Sequence, residues 1–481
     1  MKKIMLTASA VLLWSGCLHA QDTITMPVED YKAILQQLQT LQKRVDVLEH
    51  DKTSGKGDDK NIAKLEKDVD NIYNTLDQVE SKSLQDMVNF GAELRTRVDN
   101  FKVKNHRYLS DNSIQNTSND NSWSNRFRIN MDAKIQKNLL FTGRLSVYKN
   151  FADSDTSSMA GDSNNAHLTG DNTVKLDRAY IDWIPEGMPV PLAITFGRHP
   201  SSEGPPFEMK ENRKRQSTYP GLLFDGEADG VVATVGLERY TGWKNSGLRL
   251  AYGKAYQDDD NVESYLNNAS SYSDTNVFAA FLETEIPGVK DSLIVLSALK
   301  ATSMYADTTP LMGGAAEQAN LGDMELYGIH AQANNVAGSN FDIFLSTGLN
   351  KANPNGQTVN GMGLLSNDGI TDHAGWAAYA GLRYNIQSAR FNNPKVGFEF
   401  NHGSDYWFSF TSGSTELYNK LAVRGDVYDV YYIQPFNDNL FMRLGYTMAD
   451  YNYGMSGFHI GDAGDSTETL RNGYLLLDAR F

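Results

Sequence analysis

The chain of 481 residues contains one cysteine, Cys17. That cysteine sits in the leading segment, so the rest of the chain has no disulfide framework, no thiol nucleophile and no cysteine metal site. Long apolar runs are also missing. After the first twenty residues no segment reaches the roughly 18 apolar residues of a membrane-crossing helix. Basic residues are the minority, with 44 Lys and Arg against 59 Asp and Glu, for a formal charge of −15. It becomes −17 once Lys2 and Lys3 depart with the first twenty residues. Such a balance argues against nucleic acid as a partner. The nine histidines are dispersed, without metal-ligand spacing.

What is present begins with an export signal. Lys2 and Lys3 precede an apolar core from Ile4 to Trp14, and Leu18-His19-Ala20 offers a cleavage site before Gln21. Cys17 after Ser15-Gly16 would suit a lipidated cysteine, but Trp14 is ill-placed three residues upstream. Residues 28–85 then carry a helical period. Tyr31, Leu38 and Val45 take heptad position a, with Ile34, Leu41 and Leu48 at d. A second run places Ile62, Val69 and Leu76 at a, with Leu65, Ile72 and Val79 at d. This is a coiled-coil seam, interrupted near 50–60 by the polar Thr53-Ser54-Gly55-Lys56-Gly57. Each run is so short that its helix needs a partner. A homo-oligomeric stalk and a monomeric hairpin both supply one.

From Met87 onward the period becomes two. Sixteen strand-like runs follow, near 88–101, 122–135, 138–150, 173–184, 192–199, 227–238, 246–257, 275–286, 290–304, 322–334, 340–350, 374–387, 394–405, 425–435, 439–451 and 468–481. Their connections alternate between short turns and long polar loops near 102–121, 151–172, 200–226, 258–274, 305–321, 351–373, 406–424 and 452–467. That alternation is expected of a transmembrane barrel with short periplasmic turns and long external loops. A soluble β-sandwich also alternates apolar and polar residues, but it needs neither strands of this length nor an export signal. The expected fold is therefore an all-β transmembrane barrel of about 16 antiparallel strands, preceded by an α-helical coiled coil. The expected divisions are 1–20 for the signal, 21–86 for the coil and 87–481 for the barrel. An even strand count puts both barrel ends, and hence the coil, on the periplasmic side.

The last strand carries a second signal. Gly473, Leu475, Leu477, Ala479 and Phe481 share one face; Asn472, Tyr474, Asp478 and Arg480 share the other, with Leu476 the apolar exception. A strand apolar outside, polar inside and closed by an aromatic resembles the final strand of bacterial outer-membrane barrels. That resemblance implies that Phe481 is read by the outer-membrane assembly machinery. Trp183, Tyr384, Tyr432, Tyr446 and Phe481 lie near strand ends, where an interfacial aromatic belt would fall.

A pore needs a polar lumen and a charged constriction. Arg95, Arg97, Arg126, Arg128, Arg144 and Arg178 fall on the inward faces of the first four strands. The loop after strand five carries Gly204-Pro205-Pro206-Phe207-Glu208. This resembles the turn on the inward loop of sixteen-stranded general porins, and implies a constriction loop whose Glu203, Glu208 and Glu211 face the arginine wall. Opposed charges across a water-filled gap would orient dipolar solutes. Alternatively the arginines pair with Glu93, Asp99, Asp132, Asp177 and Asp182 as wall structure. Arg213-Lys214-Arg215 suits either an anion lure or, better, a solvated or lipopolysaccharide-facing loop.

Asn125-Arg126-Phe127-Arg128, Gly143 through Lys149, Arg178 through Trp183, Phe196-Gly197-Arg198-His199-Pro200, Gly204-Pro205-Pro206 and Asp229-Gly230 together resemble an uncharacterised outer-membrane porin family of Gram-negative bacteria. The resemblance spans residues 125–256 and implies a porin fold without naming a solute. Acidic loops at Asp153, Asp155 and Asp162, and at Asp258-Asp259-Asp260, fit solvated loops better than calcium sites, since neither has full EF-hand spacing. Gly161-Asp162-Ser163 lacks the second glycine and the elbow of a hydrolase nucleophile. The expectation is a non-enzymatic porin without cofactor, passing small hydrophilic solutes or ions. Lipid, lipopolysaccharide and the assembly machinery are the expected partners, together with other copies in a trimer. The alternative is a structural anchor whose coil tethers the outer membrane to peptidoglycan.

Overall fold

The computed structural model describes residues 88–107, 113–151, 174–258, 272–308 and 317–481. The expected signal, the coiled-coil seam from Tyr31 to Val79, Cys17, the Asp153–Asp162 loop and Asp259-Asp260 lie outside the described residues.

Sixteen strands form one closed antiparallel sheet in which each pairs with its sequence neighbours. They are β1 (Val88–Arg107), β2 (Ile114–Gln136), β3 (Leu139–Asn150), β4 (Val174–Trp183), β5 (Leu192–His199), β6 (Ala228–Gly236), β7 (Gly247–Tyr256) and β8 (Thr275–Thr284), then β9 (Ser292–Thr302), β10 (Gly322–Ala333), β11 (Phe341–Pro354), β12 (Ala374–Asn385), β13 (Lys395–Gly403), β14 (Gly425–Pro435), β15 (Leu440–Tyr451) and β16 (Thr469–Arg480). Closure is made by β16 against β1, with Arg95 opposite Asp478. Phe481 extends the ladder: its N–H donates to the Ala92 carbonyl at 3.0 Å and its carbonyl accepts from the Ala92 N–H at 2.7 Å. A closed ladder leaves no unpaired edge, which a bilayer core would not tolerate.

The burial pattern is inverted relative to a soluble protein. Leu94, Phe127, Leu444, Leu475 and Leu477 are exposed, while Arg95, Arg126, Arg128, Arg443 and Asp478 are buried. Alternate residues therefore face lipid and lumen, as the period of two requires. Leu476, the exception on the last strand, is buried in the lumen against Tyr431, Ile433 and Phe441.

The sixteen strand positions match the expectation, with one correction. The loop expected at 102–121 is largely strand: β1 continues to Arg107 and β2 begins at Ile114. Residues 114–121 are exposed throughout. Strands that project past the bilayer no longer need an apolar face, so alternation stops before the strand does.

Two glycines let β5 and its neighbours approach closely. Gly197 adopts φ +108°, and a Cβ there would lie 2.4 Å from the Ala179 carbonyl oxygen. Its register partner is Gly230, where a Cβ would lie 2.1 Å from the Tyr252 carbonyl oxygen. Adjacent to them, Arg198 and Asp229 pair side by side, with Nη2 and Oδ2 2.9 Å apart. Two sequence elements that stand thirty residues apart in the chain thus close on each other across β5 and β6.

Candidate functional site: a lumen crossed by two loops

The 200–227 loop enters the barrel. Its one-turn helix α1 (Phe207–Glu211) has Phe207, Met209, Lys210 and Glu211 buried. The loop has two chemically distinct sides. Phe207, Met209, Tyr219, Leu222 and Leu223 join one apolar cluster with Phe281, Leu299, Leu326, Phe344 and Tyr379 on the inner faces of β8 to β12. Glu203, Glu211 and Arg213 turn the other way, toward β1, β2 and β16. The loop is held across the lumen by burial on one side and ion pairs on the other.

The ladder and the loop acids do come together. Arg95 pairs with Glu211, and its Nε donates to Asp478 at 2.7 Å. Glu211 also takes Arg443 at 2.9 Å. Arg128 pairs with Glu203, which also holds Arg213. Arg126 lies 3.6 Å from both Glu93 and Glu203. Arg97 pairs with its own strand's Asp99 at 2.7 Å and with Glu416 at 2.8 Å. Arg144 takes Asp177 at 3.0 Å and Glu227 at 3.4 Å. Arg178 donates to the Ser202 carbonyl at 3.3 Å.

This geometry changes several details. The charges touch rather than face each other across water: Arg126 is 5% exposed and Arg128 1%. Glu208 does not face the arginines; it accepts from Gln332 on β10 at 2.7 Å. Arg213 and Arg215 are not on a solvated outer loop. Arg213 bonds Glu93 and Glu203 inside the barrel, and Arg215 reaches Glu283 at 3.5 Å. The loop carries its own counter-charges inward, since a buried arginine without a partner would be costly. Lys214 between them stays exposed.

A second loop, 404–424, also turns inward, where the sequence predicts an external loop near 406–424. Trp407, Phe408 and Leu421 join the same apolar cluster. Gly328 and Gly348, register partners on β10 and β11, leave the room it needs. A Cβ on Gly348 would lie 2.5 Å from the Trp407 ring, and one on Gly328 would lie 2.4 Å from Leu223. The signal was Tyr406-Trp407-Phe408-Ser409-Phe410, too apolar for a solvated loop. Lys420 pairs with Glu399 and Asp429, and Lys210 with Asp429 and Glu416. Burial alone would raise the Glu416 carboxyl, but Lys210, Arg97 and Arg443 hold it well below the usual carboxylate range.

Asp225 buckles the two loops together. Phe224 and Asp225 pair in parallel with Phe410 and Thr411. The Asp225 carboxylate accepts from the Glu203 N–H at 2.8 Å, the Ser414 N–H at 2.7 Å and the Ser414 hydroxyl at 2.8 Å. Burial pushes this carboxyl up to about 6, with the Ser414 bonds acting against the rise.

The loops cover one side of the lumen and leave the other. Inward residues of β14 to β16 and β1, such as Asp429, Arg443, Tyr474, Arg95 and Asp99, are buried. On β3 to β7 many inward residues stay partly exposed: Thr142, Tyr180, Asp182, Thr195, Thr234, Ala251 and Gly253. Tyr148, also inward, is 45% exposed. Inward Arg144, Ser146, Arg178, His199 and Val232 on these strands are buried, and the partly exposed residues beside them outline a crescent against β3–β7. Among the described residues no metal-binding cluster of His, Cys, Asp and Glu is present.

A closed sheet with an apolar exterior, a charged interior and loops folded inward defines a transmembrane β-barrel of the outer-membrane type. Within that class the chain belongs to the DUF3373 family, described as proteins of unknown function, whose profile matches residues 116–474. The match runs well beyond the 125–256 stretch that carried the resemblance. No curated protein matches the chain. Among solved structures it is similar to Pseudomonas putida OprB at high pH, with 12% identity over 83% of this chain and 96% of that one, at a TM-score of 0.46. It is also similar to in-vitro folded OmpT of Vibrio cholerae, with 10% identity over 82% and 97% and a TM-score of 0.43. Salmonella typhi OmpF in complex with daunomycin gives 10% identity over 82% and 97%, also at 0.43.

Proposed function

We propose that this protein is an outer-membrane porin passing small hydrophilic solutes and ions passively along the crescent beside β3–β7. The observation that carries the reading is the uneven covering of the lumen: two loops close the β14–β1 side, while inward side chains opposite remain solvent-accessible. Polar groups such as Thr142, Tyr180, Thr195 and Thr234 line that side, and a polar lining lowers the cost of moving a hydrated solute through a low-dielectric wall. The arginine ladder and the loop acids act here as the clamp that sets the width of the passage. The leading segment directs export, and 21–86 lies in the periplasm as a coil that joins copies into a trimer. Phe481 serves assembly.

Planar-bilayer recording tests this. The purified full chain should give discrete conductance steps. Deleting Ser202–Arg213, with folding checked by heat-modifiable migration, should enlarge each step. A folded wild-type barrel that never conducts refutes the reading.

A further inference from the structure

On the porin reading, the fixed charges around the passage differ in whether they have partners. All six ladder arginines are buried, and five of them, Arg178 being the exception, are neutralised by an acid within salt-bridge distance. Their charge is turned into the clamp rather than into the passage. Asp177 and Glu227, at the edge of the crescent, are spent on Arg144. Arg249 is spent on Glu283 at 3.0 Å.

Glu208 on the loop has no cation partner but turns away to Gln332 on β10, and on the strands lining the crescent two carboxylates are left. Asp132 on β2 accepts only the Thr142 hydroxyl, at 2.9 Å. Asp182 on β4 accepts only the Thr195 hydroxyl, at 2.5 Å. Among the described residues neither is ion-paired, and both are partly exposed on the inner wall. They flank β3, Asp132 opposite Thr142 and Asp182 opposite Leu140. Two strand spacings and a two-residue offset along β3 put them about 12 Å apart across the wall. The hydroxyl bonds fix the carboxylates without neutralising them. The cations on this face without an acid at salt-bridge distance are Arg178, buried against the Ser202 carbonyl, Lys134 at the periplasmic rim and Lys175 at the outer end of β4; the two lysines are exposed.

We infer that the passage prefers cations, and that Asp132 and Asp182 set the preference. A fixed charge felt at about 6 Å through a water-like dielectric changes local ion occupancy roughly threefold. Two such charges on one wall act on every ion that passes it, whereas the net charge of the loops is screened beyond about 10 Å.

The experiment is the reversal potential of the full-length protein in planar bilayers under a potassium chloride gradient. Wild type should favour potassium over chloride. Asp132→Asn with Asp182→Asn keeps an acceptor for each threonine and should lower the permeability ratio severalfold, with unit conductance steps retained. Lys134→Gln should raise it. A chloride-preferring wild type, or a ratio indifferent to both aspartate changes in conducting channels, overturns the inference and leaves the porin reading standing. Absence of conductance from a folded wild-type barrel overturns both.

Discussion

Replacing Asp225 by alanine should undock the two inward loops without unfolding the barrel. The side chain is fully buried and takes hydrogen bonds from the Glu203 N–H, the Ser414 N–H and the Ser414 hydroxyl. Truncation strands two backbone donors away from bulk water. Each costs about 1–3 kcal/mol, so docking weakens by about 2–6 kcal/mol. The sixteen-strand ladder contains none of these bonds and should keep its thermal stability. The same site imposes a pH dependence. Burial raises the carboxyl from 3.8 to about 6, so the docked loops bind its proton more tightly than the undocked loops do. The docking free energy tied to this proton is fully present below about pH 4 and is lost as pH rises through about 6, a change of about 3 kcal/mol. Spin labels on the exposed Lys214 and Leu417 read the docking directly, in a chain whose only native cysteine is Cys17. The distance distribution should be narrow at pH 4, broader at pH 8 and broad at both in Asp225→Ala. Asp225→Asn should abolish the pH dependence. A distribution equally narrow in Asp225→Ala would show that the apolar cluster alone holds the loops, and would refute the buckle.

Three further outcomes are expected. Removing Phe481 deletes two backbone bonds to Ala92 and a terminal ring that is 78% exposed, and should reduce the folded, heat-modifiable band in membranes; undiminished assembly at native expression argues against it. Epitope tags within 351–373 should react on intact cells while tags at 335–339 or 436–438 should not, and the opposite pattern would invert the barrel. Replacing Leu38, Leu41, Leu65 and Ile72 by serine should weaken crosslinked oligomers while channels persist; a wild type that crosslinks only as monomer removes the stalk and leaves the hairpin.

The wall of this protein was legible in sequence because a lipid-facing strand has to alternate. Phe127 against Arg126 and Arg128, or Leu477 against Asp478, states on its own which side meets lipid. Turn lengths then order the strands, since each antiparallel neighbour follows directly in the chain. Even the inward loop was visible, because Gly204-Pro205-Pro206-Phe207-Glu208, just after β5, resembles the inward turn of general porins. The interior was not legible to the same degree. An inward arginine looks the same in sequence whether it faces water or a carboxylate, and only the fold shows that Glu203 and Glu211 reach Arg128 and Arg95 while Glu208 turns away to Gln332. The inward course of 404–424 depends on Gly328 and Gly348 lying side by side on strands joined by a turn, which leaves a hollow for Leu223 and Trp407. Local periodicity determined the barrel, because lipid imposes the same rule on every strand. Which charges are spent on the clamp, and which remain for the passage at Asp132 and Asp182, was decided by long-range contacts that no local pattern encodes.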